Sequence, residues 1–292
     1  MNKKIALLAL LGTLYLAPAS FGQFFYLVEK QQVFDQTGNS TVSPDASQPF
    51  KFNANIGSSG GGNSETSNNP APPNSITVPG NATPMDLSAP TQSDSEWKLK
   101  QGFTSQAAMD AAFPNGNYTF TTAGNSGVAN LAGDLYPNSP IASFNNVVGS
   151  WSGNTFNIFS GQQLVINTNS IAGFVSGNYR VGIDASPQGG FGNITPSDIQ
   201  FDSGPNFDLS NGNITIPGNL LQAGETWDVK IDFNAFSSFN GTVIPNGSLV
   251  GLYTSETSFQ VTAIPEPAET ILLAGCLALG LACWRRRRVV SA

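Results

Sequence analysis

The sequence WDVKIDF at residues 227–233 alternates apolar and charged side chains without interruption. Trp227, Val229, Ile231 and Phe233 occupy every second position. Successive side chains of a β-strand point to opposite faces of a sheet, so this pattern predicts a half-buried strand whose core face carries those four residues. We therefore expect an antiparallel sheet with one face against a core.

The same alternation recurs at residues 50–56, 118–122, 179–183 and 259–263, and turn residues bound each segment. Many short strands of this kind are typical of β-sandwiches. One short helix is predicted at residues 105–113, because Thr104 or Ser105 can cap its start and Pro114 ends it. The predicted fold class is all-β, with two β-sandwich-like domains.

The predicted domain organisation has four parts. They are a signal peptide at residues 1–22, a β-rich domain at 23–136, a β-sandwich at 137–263 and a sorting signal at 264–292. The favoured boundary falls in the sequence YPNSP at residues 136–140. Residues 57–75 are rich in Gly, Asn and Pro and hold almost nothing to bury, which predicts a flexible loop.

The segment LQAGETW at residues 221–227 precedes the strand described first. It resembles the corner between the E and F strands of fibronectin type III and immunoglobulin-like domains, where a leucine, a glycine and a tyrosine follow at intervals of three. Trp227 stands at the tyrosine position, so the corner hydroxyl is absent and an indole N–H can donate instead. The resemblance implies a sandwich for residues 137–263 and implies no particular function.

The N-terminus has the features of a secretory signal peptide. Lys3 and Lys4 precede an apolar stretch at residues 5–16, and small residues at Ser20 and Gly22 suit cleavage before Gln23. An uncleaved N-terminal anchor is the alternative. Export of the body is expected in either case.

The C-terminus combines three features in close order. Pro265, Glu266 and Pro267 precede an apolar run at residues 271–284, and four arginines follow it: Arg285, Arg286, Arg287 and Arg288. Fourteen helical residues reach about 21 Å, short of the roughly 30 Å hydrocarbon core, so the predicted transmembrane helix must extend back towards residue 268. The arginine cluster holds its end in the cytoplasm and leaves the body outside the inner membrane.

This ending resembles the PEP-CTERM sorting signal of Gram-negative bacteria. The resemblance implies processing by an exosortase, a membrane-embedded transpeptidase-like protease that removes the helix. It also implies an inner-membrane precursor, then a cell-surface or extracellular product associated with exopolysaccharide or biofilm. An ordinary C-terminal membrane anchor is the alternative.

Composition excludes several classes of chemistry. The chain has no histidine, which rules out His-dependent nucleophiles and His-ligated metals, and its two cysteines, Cys276 and Cys283, lie in the C-terminal apolar run. Residues 23–264 carry 6 basic and 17 acidic side chains, a net charge of −11. A body this acidic repels polyanions, so no nucleic-acid partner is expected. No cofactor is expected either.

Carboxylates are the remaining candidate catalysts, and a glycosidase needs only two. No segment places two acids in an apolar context that would raise one pKa, so we predict no catalytic residues. The acidic and amide residues Asp198, Asp202, Asp208, Asn211 and Asn213 are Ca²⁺-type ligands, but their spacing matches no EF-hand loop, and no metal ligand is assigned.

The expected function is that of a non-enzymatic surface or matrix protein. Extracellular polysaccharide is an expected partner, and Trp97 is the aromatic side chain expected to be partly exposed. The alternatives are a displayed carbohydrate-binding module or a polysaccharide-acting hydrolase or lyase.

Overall fold

A computed structural model describes residues 24–58, 74–89, 96–122, 125–145, 147–172, 179–188, 199–202, 212–244 and 247–266. These ranges are mostly β-strand, with one short α-helix, and the sheets form a sandwich-like arrangement. The predicted signal peptide and C-terminal helix lie outside them, as does most of the predicted loop at 57–75.

The strands and the helix are numbered along the chain. They are β1 (Phe24–Gln36), β2 (Val42–Pro44), β3 (Phe50–Ser58), β4 (Asn74–Thr77), β5 (Met85–Asp86), β6 (Trp97–Phe103), α1 (Gln106–Ala112), β7 (Gly116–Thr122), β8 (Asn125–Leu131), β9 (Ala142–Asn145), β10 (Gly149–Ser152), β11 (Thr155–Phe159), β12 (Leu164–Thr168), β13 (Tyr179–Pro187), β14 (Ile199–Asp202), β15 (Asn213–Ile216), β16 (Thr226–Ile244) and β17 (Gly247–Ile264).

One central sheet joins the two ends of the described chain. Its strand order is β14-β13-β16-β17-β1-β3-β6, with β11 also on β17, β10 on β11 and β2 on β1. The first strand, β1, is parallel to the last, β17, from Phe24 opposite Gly247 to Asp35 opposite Ser258. The antiparallel hairpin of β16 and β17 forms the middle of the sheet.

Two smaller sheets pack on the same face of the central sheet. The sheet β15-β12-β9 encloses one core with the first half of β16, including Leu164, Ile166 and Ile231. The sheet β5-β4-β7-β8 encloses a second core with β1 and β3, including Tyr26, Phe52 and Phe120. We call the opposite face of the central sheet its outer face.

The central hairpin serves both cores because it is long and bends at a bulge. The register of β16 on β17 shifts between Phe236 and Ser238. At this bulge the hydroxyl of Ser238 accepts from the backbone N–H of Asn130, at 2.9 Å, and donates to the backbone oxygen of the same residue, at 2.8 Å. The serine thus satisfies backbone groups on β8 that would otherwise form an open strand edge.

The segment at residues 137–140 links the strands of the two cores and crosses the inner face of the hairpin formed by β16 and β17. Ser255 and Thr257 donate hydroxyl hydrogen bonds to the backbone oxygens of Pro137 and Pro140, each at 2.7 Å. Residues 137–140 are thus fixed to the inner face of β17. The division at residue 136 stays a prediction, and the central sheet contains strands from both sides of it.

The corner before β16 has the predicted indole contact. Trp227 is fully buried, and its Nε1 donates to the backbone oxygen of Leu220 at 3.3 Å. Gly224 has a φ of 91°, which is a left-handed conformation that favours glycine. Val229, Ile231 and Phe233 are also buried in the same core, so the predicted inward face of the strand is confirmed.

The predicted helix is confirmed over Gln106–Ala112. The Ser105 hydroxyl accepts from the backbone N–H of Ala108 at 3.2 Å, so of the two candidate caps Ser105 is the one used. The helix ends at Phe113, directly before Pro114. Its buried residue, Met109, packs into the core enclosed by β1, β3 and β7.

Candidate functional site

The predicted sorting motif begins where the central strand β17 ends. β17 runs to Ile264, and Pro265 and Glu266 follow as exposed residues outside any strand. Pro267 and the cluster Arg285–Arg288 lie outside the described residues. Within the described ranges, no helix has both the length and the apolar character of a membrane span.

The residues weighed as Ca²⁺ ligands do not form a described site. Asp202 ends β14 and Asn213 begins β15, while Asp198, Asp208 and Asn211 lie outside the described residues. No group of acidic side chains suited to a metal ion occurs in the described part of the chain.

Trp97 lies on the edge strand β6 and is half-buried against the core shared with β3 and α1. Its position agrees with the expected partial exposure. The described part of the chain has one large aromatic side chain in the exposed class, Phe239, which is 44% exposed on β16. Aromatic side chains such as Tyr26, Phe52 and Tyr118 are instead buried, as expected for core packing.

The outer face of the central sheet carries a network of buried polar side chains that the sequence did not predict. Glu29 on β1 accepts from the Thr254 hydroxyl at 2.5 Å and from Asn53 Nδ2 at 2.8 Å. Glu256 on β17 accepts from Gln31 Nε2 at 2.6 Å and pairs with Lys230 Nζ at 2.7 Å. The network thus spans four neighbouring strands, β3, β1, β17 and β16.

A third carboxylate, Asp232, faces this network from β16. It is directly opposite Glu256 in the antiparallel register, where like charges are unfavourable. Its Oδ1 is buried and accepts no hydrogen bond from the described residues. Burial, and then the charge of Glu256, raise the pKa of Asp232 to about 7, while Lys230 partly offsets them.

Lys230, the cation beside these acids, also has a raised pKa, which in a lysine favours the charged form. Burial of Lys230 works to lower its pKa, but the charges of Glu256 and Asp232 outweigh burial and raise it. The Lys230 side chain is 41% exposed, so its charge also reaches solvent. Near neutral pH the network therefore combines a permanent cation, hydrogen-bonded carboxylates and one carboxyl able to hold a proton.

The expectation that no one segment places two acids in an apolar context does not cover Asp232 and Glu256, which meet from two different strands. The alternating acids of β16 were visible in the sequence, but their partners on β17 and β1 depend on strand pairing over 24 to more than 200 residues. The sequence signal that could have revealed the network is the run TSETS at residues 254–258, which has polar side chains on both faces of the strand.

No protein-family model matches the chain, and comparison with curated proteins finds no significant match.

Proposed function

We propose that this chain is an exported, non-enzymatic surface or extracellular-matrix protein that an exosortase sorts through its PEP-CTERM tail. The observation that carries the proposal is the position of the motif. Pro265 and Glu266 are exposed and follow at once after the central strand β17. A membrane-embedded protease can therefore reach the motif while the sheet stays folded.

The chemistry of the tail supports the same conclusion. Two prolines cannot continue a regular helix or donate backbone hydrogen bonds, so we expect an extended motif before the predicted transmembrane helix. Glu266 resists burial in the membrane, and Arg285–Arg288 hold the other end in the cytoplasm. The precursor is then anchored in the inner membrane with its body in the periplasm, and processing moves the body to the surface or medium.

We further propose that residues 137–263 have a fibronectin type III or immunoglobulin-like arrangement. The first supporting feature is the pair of facing sheets. One contains β9, β12 and β15, and the other contains β14, β13, β16, β17 and β11. The second supporting feature is the hydrogen bond from Trp227 Nε1 to the backbone oxygen of Leu220, which replaces the one that the corner tyrosine makes in those domains. Such a domain serves display, and extracellular polysaccharide is its proposed partner.

Replacing Pro265-Glu266-Pro267 by three alanines tests the sorting proposal. In a host that contains an exosortase, we expect the variant to remain an uncleaved inner-membrane precursor that retains Arg285–Arg288 in mass spectra. The control is deletion of residues 268–292, which should give a periplasmic body that bypasses sorting. Surface-released wild-type protein that still carries the arginines would identify the tail as a plain anchor.

A polysaccharide-acting hydrolase or lyase is the second candidate, and Asp232 is the observation that favours it. Opposed residues of an antiparallel pair have Cβ atoms about 4.5–5.5 Å apart, so Asp232, whose pKa is raised by burial, lies beside a second carboxyl group, that of Glu256. Release of reducing ends from a polysaccharide panel, lost in Asp232→Asn and kept in Asp228→Asn, would establish the enzyme. Glycan affinity without products would establish a binding module instead.

A further inference from the structure

Lys30 is a fully buried lysine on the core face of β1. Its Nζ lies 2.5 Å from Oδ1 of Asp110 on α1 and 2.7 Å from Oδ1 of Asn115, which follows the helix. The Lys30 side chain has no exposed area, whereas that of Asp110 is 31% exposed. A shielded amine is thus held against both a carboxylate and a carboxamide.

The orientation of the Asn115 amide is fixed by contacts on both of its ends. Its oxygen accepts from Lys30 Nζ and, at 2.8 Å, from the Tyr253 hydroxyl. Its Nδ2 donates to Asp134 Oδ1 at 2.9 Å. Burial, with the charges of Asp134 and Asp110, raises the pKa of Tyr253, so its hydroxyl stays a donor at neutral pH.

We propose that Lys30 and Asn115 join in an intramolecular isopeptide bond. The Lys30 nitrogen attacks Cγ of Asn115, a new C–N bond forms, and the bond from Cγ to Nδ2 breaks. The protein loses one ammonia, about 17 Da, and no oxidant or other reactant is needed.

The neighbouring side chains supply each proton and charge that the reaction requires. Asp110 accepts a proton from the Lys30 ammonium and makes the amine nucleophilic. The Tyr253 hydroxyl stabilises the negative oxygen that develops on the Asn115 amide. Asp110 then gives this proton to Nδ2 of Asn115 and takes a second proton from the attacking nitrogen, so the bond from Cγ to Nδ2 breaks with ammonia as the leaving group. The ammonia takes that second proton and leaves as ammonium, with Asp110 ionised again.

The surroundings favour the reaction in two ways. The amine and the amide are already in contact, so attack costs little further ordering. Asn115 itself is exposed, which gives the ammonia a direct path to solvent. The product would join β1 of the central sheet to the segment before β7 of the facing sheet, in a body whose sequence contains no cysteine.

Intact-mass measurement and tryptic mapping of the exported full-length protein test the proposal. We expect a mass about 17 Da below that of the unreacted chain, no cleavage after Lys30, and a branched peptide that joins the fragment ending at Lys51 to residues 101–180. Lys30→Met, Asn115→Ala and Asp110→Ala should lack the branched peptide. Lys100→Met, an exposed lysine on β6, should retain it.

Each other outcome overturns the proposal. Cleavage after Lys30 in an unmodified wild-type chain would show that the contact is only a polar network. Loss of ammonia that persists in Lys30→Met would assign the loss to a cyclisation instead, at an Asn-Gly pair such as Asn115-Gly116 or at an N-terminal Gln23. Loss of water with a branch to Asp110 would show a different bond. If the variants do not fold, the wild-type peptide map alone decides.

Discussion

At the scale of single residues, Trp227 shows how one side chain sets a corner. The indole fills the core between the sheets and also uses its only donor on the Leu220 oxygen. The fibronectin type III corner that this segment resembles has a phenol at this position, which both donates and accepts. The larger indole keeps the donor and adds apolar area, so the corner of this chain depends more on packing.

Substituting Trp227 separates its two contributions. Trp227→Ala should lower the free energy of unfolding by about 3–5 kcal/mol because it leaves a large cavity. Trp227→Phe keeps much of the ring but loses the bond to Leu220, so it should cost less. Denaturant unfolding followed by far-UV circular dichroism gives both values. A cost below about 1 kcal/mol for the alanine variant would show that Trp227 is not a core residue.

Gly251 marks a close approach between β17 and β8. A Cβ atom at this position would lie 2.2 Å from the backbone oxygen of Asn130 and 2.7 Å from Ser238 Oγ. Because the first of these is backbone, Gly251→Ala should destabilise the protein by about 1–3 kcal/mol. Gly182→Ala is the matched control on the same sheet, since its Cβ would meet nothing closer than 3.8 Å. Equal stabilities of the two variants would refute the close approach.

Asp232 makes stability depend on pH. Its pKa is raised from 3.8 to about 7 in the folded protein, so the folded state binds this proton more tightly than the unfolded chain. The stability contributed by the group therefore falls as pH rises through that interval. Asp232→Asn should remove this fall, and unfolding free energies at pH 5 and pH 8 measure it.

The control for that measurement is Asp228→Asn, an exposed acid on the same face of the same strand. It should leave the difference between pH 5 and pH 8 near the wild-type value. A wild-type profile that Asp232→Asn does not change would show that Asp232 is ionised throughout this range.

At the scale of elements, the sequence predicted strands where one face is buried and one is solvated. β7, β13 and the first half of β16 follow that pattern, and all three were found. β1 was missed because both of its faces are apolar at its start: Tyr26 and Val28 face a core, while Phe25 and Leu27 lie on the outer face. Alternation cannot reveal a strand that is buried on both sides.

The length of the central hairpin was also beyond sequence reasoning. β16 continues past the predicted residue 233 to Ile244, and its bulge at Phe236–Ser238 reverses which residues face inward. A period of two fails at such a point. The candidate sites share this limit, because Lys30 and Asn115 are 85 residues apart and meet only through tertiary packing.

At the scale of the whole molecule, the two cores share β16 and β17 as common walls. Trp227 and Val229 contact one core, while Ala235 and Leu249 on the same hairpin contact the other. Loss of either core exposes strands that the other needs. The pairing of β1 with β17 binds the predicted first domain to the same hairpin.

We therefore expect one unfolding transition for the body. Calorimetry should give a calorimetric enthalpy equal to the van't Hoff enthalpy, which is the sign of cooperative two-state unfolding. Trp227→Ala should lower the midpoint of the entire transition, although its contacts lie in one core. Two resolved transitions, with only one shifted by the substitution, would show that residues 23–136 and 137–263 unfold as separate domains.

The parallel pairing of β1 with β17 has a mechanical consequence. Tension between the N-terminal end of β1 and the C-terminal end of β17 pulls the two strands past each other along their length. The hydrogen bonds that residues 24–35 of β1 make with β17 are then loaded in shear, all at the same time, and do not break one after another. A body held by its C-terminus against flow would meet tension in the direction that this sheet resists best.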